Sequence, residues 1–279
     1  YTMGGYIDGY VIDYLFDNEE NEPLLCWRDP KSKTGVEAEI KCGYEVSIDG
    51  KRYAAAPVTE TIAKGGIILP SKLGPKRSTR ELADLSETFI SSVYLFTNPL
   101  YPKIISDYVL VTWLYDCFSA VSYLRATGEP GAGKSELMKR IGLLCYRTIN
   151  SSGASSTSSL FRMVERYKPT VLLDEMDLKD SSASADIVKF LTLGAMVDGA
   201  IFRTEKMMID GKEEFVETMF QTYCPKLIAM QGAVFKDRAV DSRCITFQVQ
   251  PREMYELKAA GISTERNKQM RDSALALRN

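Results

Sequence analysis

Apolar and polar positions divide the chain into a strand-like first quarter and a longer remainder in which helical and strand-like patterns take turns. Tyr10-Val11-Ile12-Asp13-Tyr14-Leu15-Phe16 is rich in β-branched and aromatic residues and runs into the polar stretch 17–22, as a strand entering a turn does. Residues 44–48 and 52–54 flank Asp49-Gly50, the strongest short hairpin signal in the chain. Residues 65–70 read as a last strand or connector. No catalytic constellation falls in this part, which reads as a small β module for docking or substrate contact.

Residues 71–79 combine Gly, Pro and basic side chains and read as a linker. Helical patterns follow at 78–97 and 104–118, separated by a stretch that holds Pro99 and Pro102. Val109, Leu110, Trp113, Leu114, Cys117 and Phe118 recur at helical spacing and form a core stripe. From Tyr123 onward strand and helix patterns alternate, which predicts an α/β fold with a mainly parallel sheet.

Composition narrows the chemistry. With 279 residues, 45% hydrophobic and 26% charged, the usage is that of a globular protein. Thirty-five Lys and Arg against 37 Asp and Glu leave a net charge of -2, so no whole-protein attraction draws it to nucleic acid or to an acidic membrane, although a local basic channel remains open. The absence of any histidine excludes Ser-His-Asp and Cys-His nucleophiles, His-ligated zinc and a His general base. Cys26, Cys42, Cys117, Cys145, Cys224 and Cys244 contain no C-x-x-C pair and read as buried thiols of a cytoplasmic protein. No apolar run reaches the ~18 residues of a membrane span, so no membrane partner is expected. A first residue Tyr1 and a helical pattern at the last residues read as a fragment of something longer.

Gly128-Glu129-Pro130-Gly131-Ala132-Gly133-Lys134-Ser135 fits G-x-x-x-x-G-K-[ST] at every fixed position. A strand pattern at 121–127 enters it, and a helix pattern at 136–147, opening on Glu136, leaves it with Leu137, Ile141, Leu144 and Cys145 on one face. That context is what a phosphate loop needs: glycines let backbone N–H groups converge on phosphate oxygens, and the helix N-terminus adds partial positive charge. Lys134 is the candidate for the β- and γ-phosphates and Ser135 for Mg²⁺. Some 40 residues on, an apolar strand pattern from Thr170 ends in Asp174-Glu175, where ligands gather at the carboxyl ends of parallel strands. Asp174 is the candidate second metal holder and Glu175 the group that orients or deprotonates the attacking water.

Residues 225–230 form another apolar strand pattern, ending in Gln231, which would stand beside the γ-phosphate if its strand neighbours that of Asp174; a loop-capping amide is the other reading. Arg238 and Arg243 precede the strand pattern 245–249. Either suits an arginine finger reaching a neighbour's ATP, with Arg243 favoured, while Arg238 pairing with Asp237 or Asp241 is the structural alternative. Between the Asp174 and Gln231 strands, residues 200–209 and 213–219 flank Asp210-Gly211-Lys212 and predict a β-hairpin.

This order of parts resembles the AAA+ ATPases, and residues 128–137 are similar to the phosphate loop of minichromosome-maintenance helicases. The Ser/Gly stretch 150–156, Asp174-Glu175-Met176-Asp177 and Asp241-Ser242-Arg243 are similar to further motifs of that family. Residues 107–125 and 235–243 also resemble ATPases of phages and mobile elements. The family has Asn where Gln231 stands and Phe-Asp where Cys244-Ile245 stands, and residues 1–75 lie outside the resemblance.

After the small β-rich module read at 1–78, the resemblance implies an α/β P-loop AAA+ domain (79–279), with 252–279 a partial helical lid. It implies ATP and Mg²⁺ as cofactors, a homo-oligomeric ring such as a hexamer, and helicase or translocase activity on DNA in replication of a mobile element. The hairpin would then project into the ring's pore with Lys206 and Lys212 on DNA phosphates; a plain surface hairpin is the alternative. An ATP-switched loader that recruits replication proteins, and a protein-remodelling ATPase, are the other activities such a domain supports.

Overall fold

The computed structural model describes residues 1–29, 31, 39–151, 156–174, 181–209, 212–231, 237–250 and 272. They fall into two compact units. One comprises Tyr1–Leu114 and Glu136–Asn150 with Asp272; the other comprises Tyr115–Ser135 and Ser151–Gln250.

In the first unit, β1 (Gly4–Ile7), β2 (Tyr10–Asp17), β3 (Glu22–Arg28) and β4 (Ile40–Gly43) form an antiparallel sheet in that order. The run Ile12 to Phe16 is wholly buried, Asp13 included. Asp13 Oδ1 accepts from Tyr146 OH (2.7 Å) and from the Arg147 guanidinium (3.2 Å). β5 (Glu45–Ile48) and β6 (Lys51–Ala54) make the expected hairpin. Its two turn residues, Asp49 and Gly50, both have left-handed φ (45° and 79°), the conformation that favours Asp-Gly in a tight hairpin turn.

The expectation that all six cysteines are buried thiols is corrected. Cys26 and Cys42 face each other across the β3–β4 pair and form a disulfide, with Cα atoms 4.1 Å apart; strand pairing, which spacing in the sequence does not reveal, brings them together. Cys117 is exposed, so the six cysteines are not uniformly buried thiols. Of the two readings of residues 65–70, the structure takes the connector: after the short helix α1 (Glu60–Ala63), a single bridge, Ile67 to Ile149, forms before Pro70.

α2 (Thr79–Val93) begins with a capping box, Ser78 and Glu81 each bonding the other's backbone N–H, and buries Leu82, Phe89, Ile90 and Val93. α3 (Leu100–Leu114) starts four residues before its apolar stripe predicts. Pro102 lies in its first turn, where a missing N–H costs nothing, and Asn98 Oδ1 accepts from Leu100 N (2.9 Å). Trp113, fully buried, donates its indole N–H to Leu144 O (2.9 Å).

The second unit is built on β7 (Tyr123–Thr127), α4 (Lys134–Gly142, whose first two residues belong here), β8 (Ile149–Ser151, whose last residue belongs here), α5 (Thr157–Tyr167), β9 (Val171–Leu173), α6 (Ser181–Leu193), β10 (Ala200–Ile209), β11 (Lys212–Gln221), β12 (Lys226–Met230), α7 (Arg238–Asp241) and β13 (Cys244–Gln248). The five-stranded sheet runs β13-β7-β12-β9-β8, and its β13–β7, β7–β12 and β12–β9 pairs are parallel. The architecture is therefore the expected mixed α/β fold with a β-rich N-terminal part. Tyr123, Phe161, Phe190, Leu173 and Ile228 sit in its core. β10 and β11 stand apart as an antiparallel ribbon closed at Ile209–Lys212, so Lys212 opens the second strand.

Candidate nucleotide site

Parallel pairing places the site at one end of the sheet. β12 lies between the phosphate-loop strand and the Asp174 strand, with Met230 opposite Thr127 and Ile228 opposite Leu173. Gly128, Asp174 and Gln231, each just past its strand's last residue, therefore share the carboxyl edge where α/β sheets bind ligands.

The loop is tied to that edge from behind. Val249 N donates to Thr127 O (2.7 Å), and a Cβ on Gly128 would stand 2.1 Å from Val249 O, so only glycine allows the loop to leave β7 this close to the end of β13. Gly131 holds φ +78° with open space around it. Lys134 is buried, and its ammonium donates to Gly128 O (2.9 Å) and Glu129 O (2.7 Å), spanning the loop from the inside. Ser135 Oγ donates to Asp174 Oδ1 (3.0 Å). Glu129 and Pro130 are exposed and Ala132 is buried; Glu136 pairs with Arg140 one helical turn on (2.8 Å).

These residues fit a magnesium–nucleotide. The curled loop offers backbone N–H groups, a buried ammonium sits beneath it, and a hydroxyl and a carboxylate 39 residues apart meet at hydrogen-bond distance. Glu175, Met176 and Asp177 lie outside the described residues, as do the hairpin tip 210–211 and the lid stretch 252–279 apart from Asp272. Gln231 is exposed at its strand end.

The two arginines differ. Arg238 is exposed at the start of α7 and makes no ion pair among the described residues. Arg243 is half-buried, and its guanidinium turns back to donate to Ala239 O. Neither acid paired with Arg238 in the alternative reading is given to it. Asp237 caps α7, accepting from Ala239 N (2.8 Å), and Asp241 accepts from Arg125 (2.6 Å).

Arg125 is a group that sequence reasoning passed over. Its side chain, 4% exposed, sits inside the phosphate-loop strand and bonds both Asp241 and Thr246 Oγ1 (2.9 Å), joining β7 to β13 and α7. A charge in the middle of an apolar strand was the available signal. Lys226 is another: fully buried, it donates to the carbonyls of Gly194, Thr222 and Cys224 (3.0–3.2 Å) and lies over the Tyr123 and Phe190 rings. Burial pushes its ammonium below the ordinary lysine range.

The ribbon is rooted on one face. Arg203 bonds Asp186 and Ser158, Arg162 pairs with Glu205 (2.7 Å), and Ile201 and Phe220 enter the core. The other face exposes Phe202, Met208, Phe215 and Met219. Lys206 is exposed but engaged by Glu213 (3.2 Å), and Lys212 is exposed near the tip. Residues 200–221 carry three cations against five carboxylates.

No protein-family model and no curated protein sequence matches the chain. Among solved structures it is similar to the apo NrS-1 C-terminal region (11% identity, TM-score 0.43), covering 96% of this chain and 65% of that one. It is also similar to C. elegans PCH-2 (16%, 0.36, covering 60% and 46%) and to the JCV helicase (14%, 0.32, covering 72% and 53%). The chain thus spans less than two thirds of each, and the likeness in shape is partial. Among the described residues no helix is long and apolar enough to cross a membrane.

Proposed function

We propose that the protein is a Mg²⁺-dependent ATPase that drives a DNA helicase or translocase of a phage or mobile element. The observation that supports this best is the Ser135 Oγ–Asp174 Oδ1 contact (3.0 Å) beside a glycine-built loop with Lys134 beneath it. In this reading Lys134 neutralises the β- and γ-phosphates, and Ser135 and Asp174 hold the metal. Mg²⁺ supplies charge neutralisation at the phosphates when bound. Glu175 takes the proton of the attacking water and Gln231 orients that water. Arg238 and Arg243 are the candidates to act across a subunit boundary of a hexameric ring, and Arg238 is the one whose guanidinium is exposed. Lys206 and Lys212 touch DNA in the pore. Residues 1–78 serve as a docking module, 79–279 as the ATPase domain, and the protein works in the cytoplasm.

A second reading, an ATP-switched loader that does not unwind DNA, is favoured by the ribbon's excess of carboxylates and by the Lys206–Glu213 pair, both unfavourable to phosphate contact. ATP hydrolysis with and without single-stranded DNA separates the two, with Glu175→Gln as the inactive control. Strong stimulation lost in the control supports the motor; hydrolysis indifferent to DNA supports the loader; no hydrolysis refutes both.

A further inference from the structure

Charge is segregated along this near-neutral chain. Residues 61–80 contain Lys64, Lys72, Lys76, Arg77 and Arg80 and not one carboxylate. Lys64 is spent on Glu60 (2.6 Å), but Lys72, Lys76, Arg77 and Arg80 all face solvent. Among the described residues Lys72, Arg77 and Arg80 make no ion pair; Glu81, the next acid along the chain, feels Arg77 but is bound up in the capping box, where the Ser78 backbone and hydroxyl hold its carboxyl below the usual range.

The placement runs against stability. Lys76, Arg77 and Arg80 flank the first turn of α2, where the helix favours acids and repels cations. A local rule broken at no visible structural gain is the mark of a functional surface.

The segment is also held in place at both ends. Asp272, 1% exposed, accepts from Ser71 N (3.0 Å), Ser71 Oγ and Lys72 N (3.4 Å), and its carbonyl accepts from Gly74 N (2.9 Å). Ser78 and Glu81 fix the other end. A fixed backbone loses less entropy when its side chains engage a ligand.

We infer that Lys72, Lys76, Arg77 and Arg80 form a binding site for the phosphodiester backbone of single-stranded DNA, separate from the ribbon. This rests on the reading of the protein as a DNA motor and moves the main electrostatic contact away from Lys206 and Lys212. Arginine presents a planar fork to phosphate oxygens, which suits Arg77 and Arg80. An anionic lipid surface fits less well. The apolar face of α2 is buried, and Leu73, half-buried, is the one aliphatic side chain among the cations, so nothing is offered for insertion between headgroups.

The test is a salt titration of a fluorescent 20-mer oligo-dT binding to the full chain, comparing wild type, Lys72→Gln/Lys76→Gln/Arg77→Gln/Arg80→Gln, and Lys206→Gln/Lys212→Gln. At about 0.7 ions released per contact, the quadruple variant should flatten the log–log slope by about 2.8, so wild type loses about 50-fold more affinity than the variant between about 50 and 200 mM salt. Each single substitution should remove about 0.7, which keeps the test decisive if the quadruple variant misfolds. The ribbon variant should change the slope little. If wild type binds DNA and the quadruple and single variants keep its slope, the site is wrong and the motor reading stands. If wild type binds no DNA, both fall. Loss of binding to phosphatidylserine vesicles with DNA binding intact would assign the patch to a membrane and overturn the proposal.

Discussion

Gly128→Ala probes the coupling between the phosphate loop and the sheet. The added Cβ would stand 2.1 Å from Val249 O and 3.1 Å from Val249 C, at φ +154°. Reaching an ordinary contact of ~3.5 Å requires the loop and the end of β13 to separate by more than about 1 Å. The Val249 N–Thr127 O bond (2.7 Å) joins the same two segments and would break with that movement. Its loss costs about 1 kcal/mol and the backbone strain about 1–3 kcal/mol, so about 3 kcal/mol of unfolding free energy is at stake. Gly131→Ala is the control, because its Cβ would meet nothing within 4 Å. There the left-handed strain of about 1–2 kcal/mol is partly offset by about 0.4–1 kcal/mol from a stiffer unfolded chain. Urea unfolding gives both numbers, and titration with a fluorescent ATP analogue gives the affinity. Equal stabilities for the two variants would refute the idea that Gly128 is kept for its approach to β13.

Asp241→Ala strands the buried Arg125 guanidinium and should cost about 2–3 kcal/mol in chemical unfolding, less than the 3–5 kcal/mol of a fully buried pair because the Asp241 side chain remains 30% exposed; a cost under about 0.5 kcal/mol would show that the pair holds nothing together. Cys26→Ser opens a loop of 16 residues and should lower stability by about 3 kcal/mol, with the wild type in reductant matching the variant. Burial pushes the Cys145 thiol and the Tyr223 phenol up to about 12 and Cys244 up to about 11, and raises Cys224 and Tyr123 as well. The fold then binds protons that the unfolded chain releases, so the contribution of these thiols and phenols should be flat below about pH 8 and fall as pH climbs past their ordinary values, Cys145 alone accounting for about 2 kcal/mol near pH 10.5. A thermal midpoint that is constant from about pH 8 to 10.5 contradicts this.

Where a residue's role is local, the sequence alone determined it. Hairpin chemistry at Asp49-Gly50, the β-branched and aromatic content that makes Tyr10–Asp17 a strand, and the G-x-x-x-x-G-K-S spacing need only near neighbours, and each appears where pattern places it. Asp174 could be picked out as the carboxylate following an apolar strand, but its meeting with Ser135 depends on β12 lying between β9 and β7, which no local signal encodes. Only tertiary structure joined Cys26 to Cys42, seated Arg125 against Asp241 and Thr246, enclosed Lys226 among three carbonyls, and anchored Ser71 on Asp272. Each is a contact between residues distant in sequence or hidden within an apolar run. Strand order and burial decide them, because a polar group removed from water must find its partner wherever the fold places one.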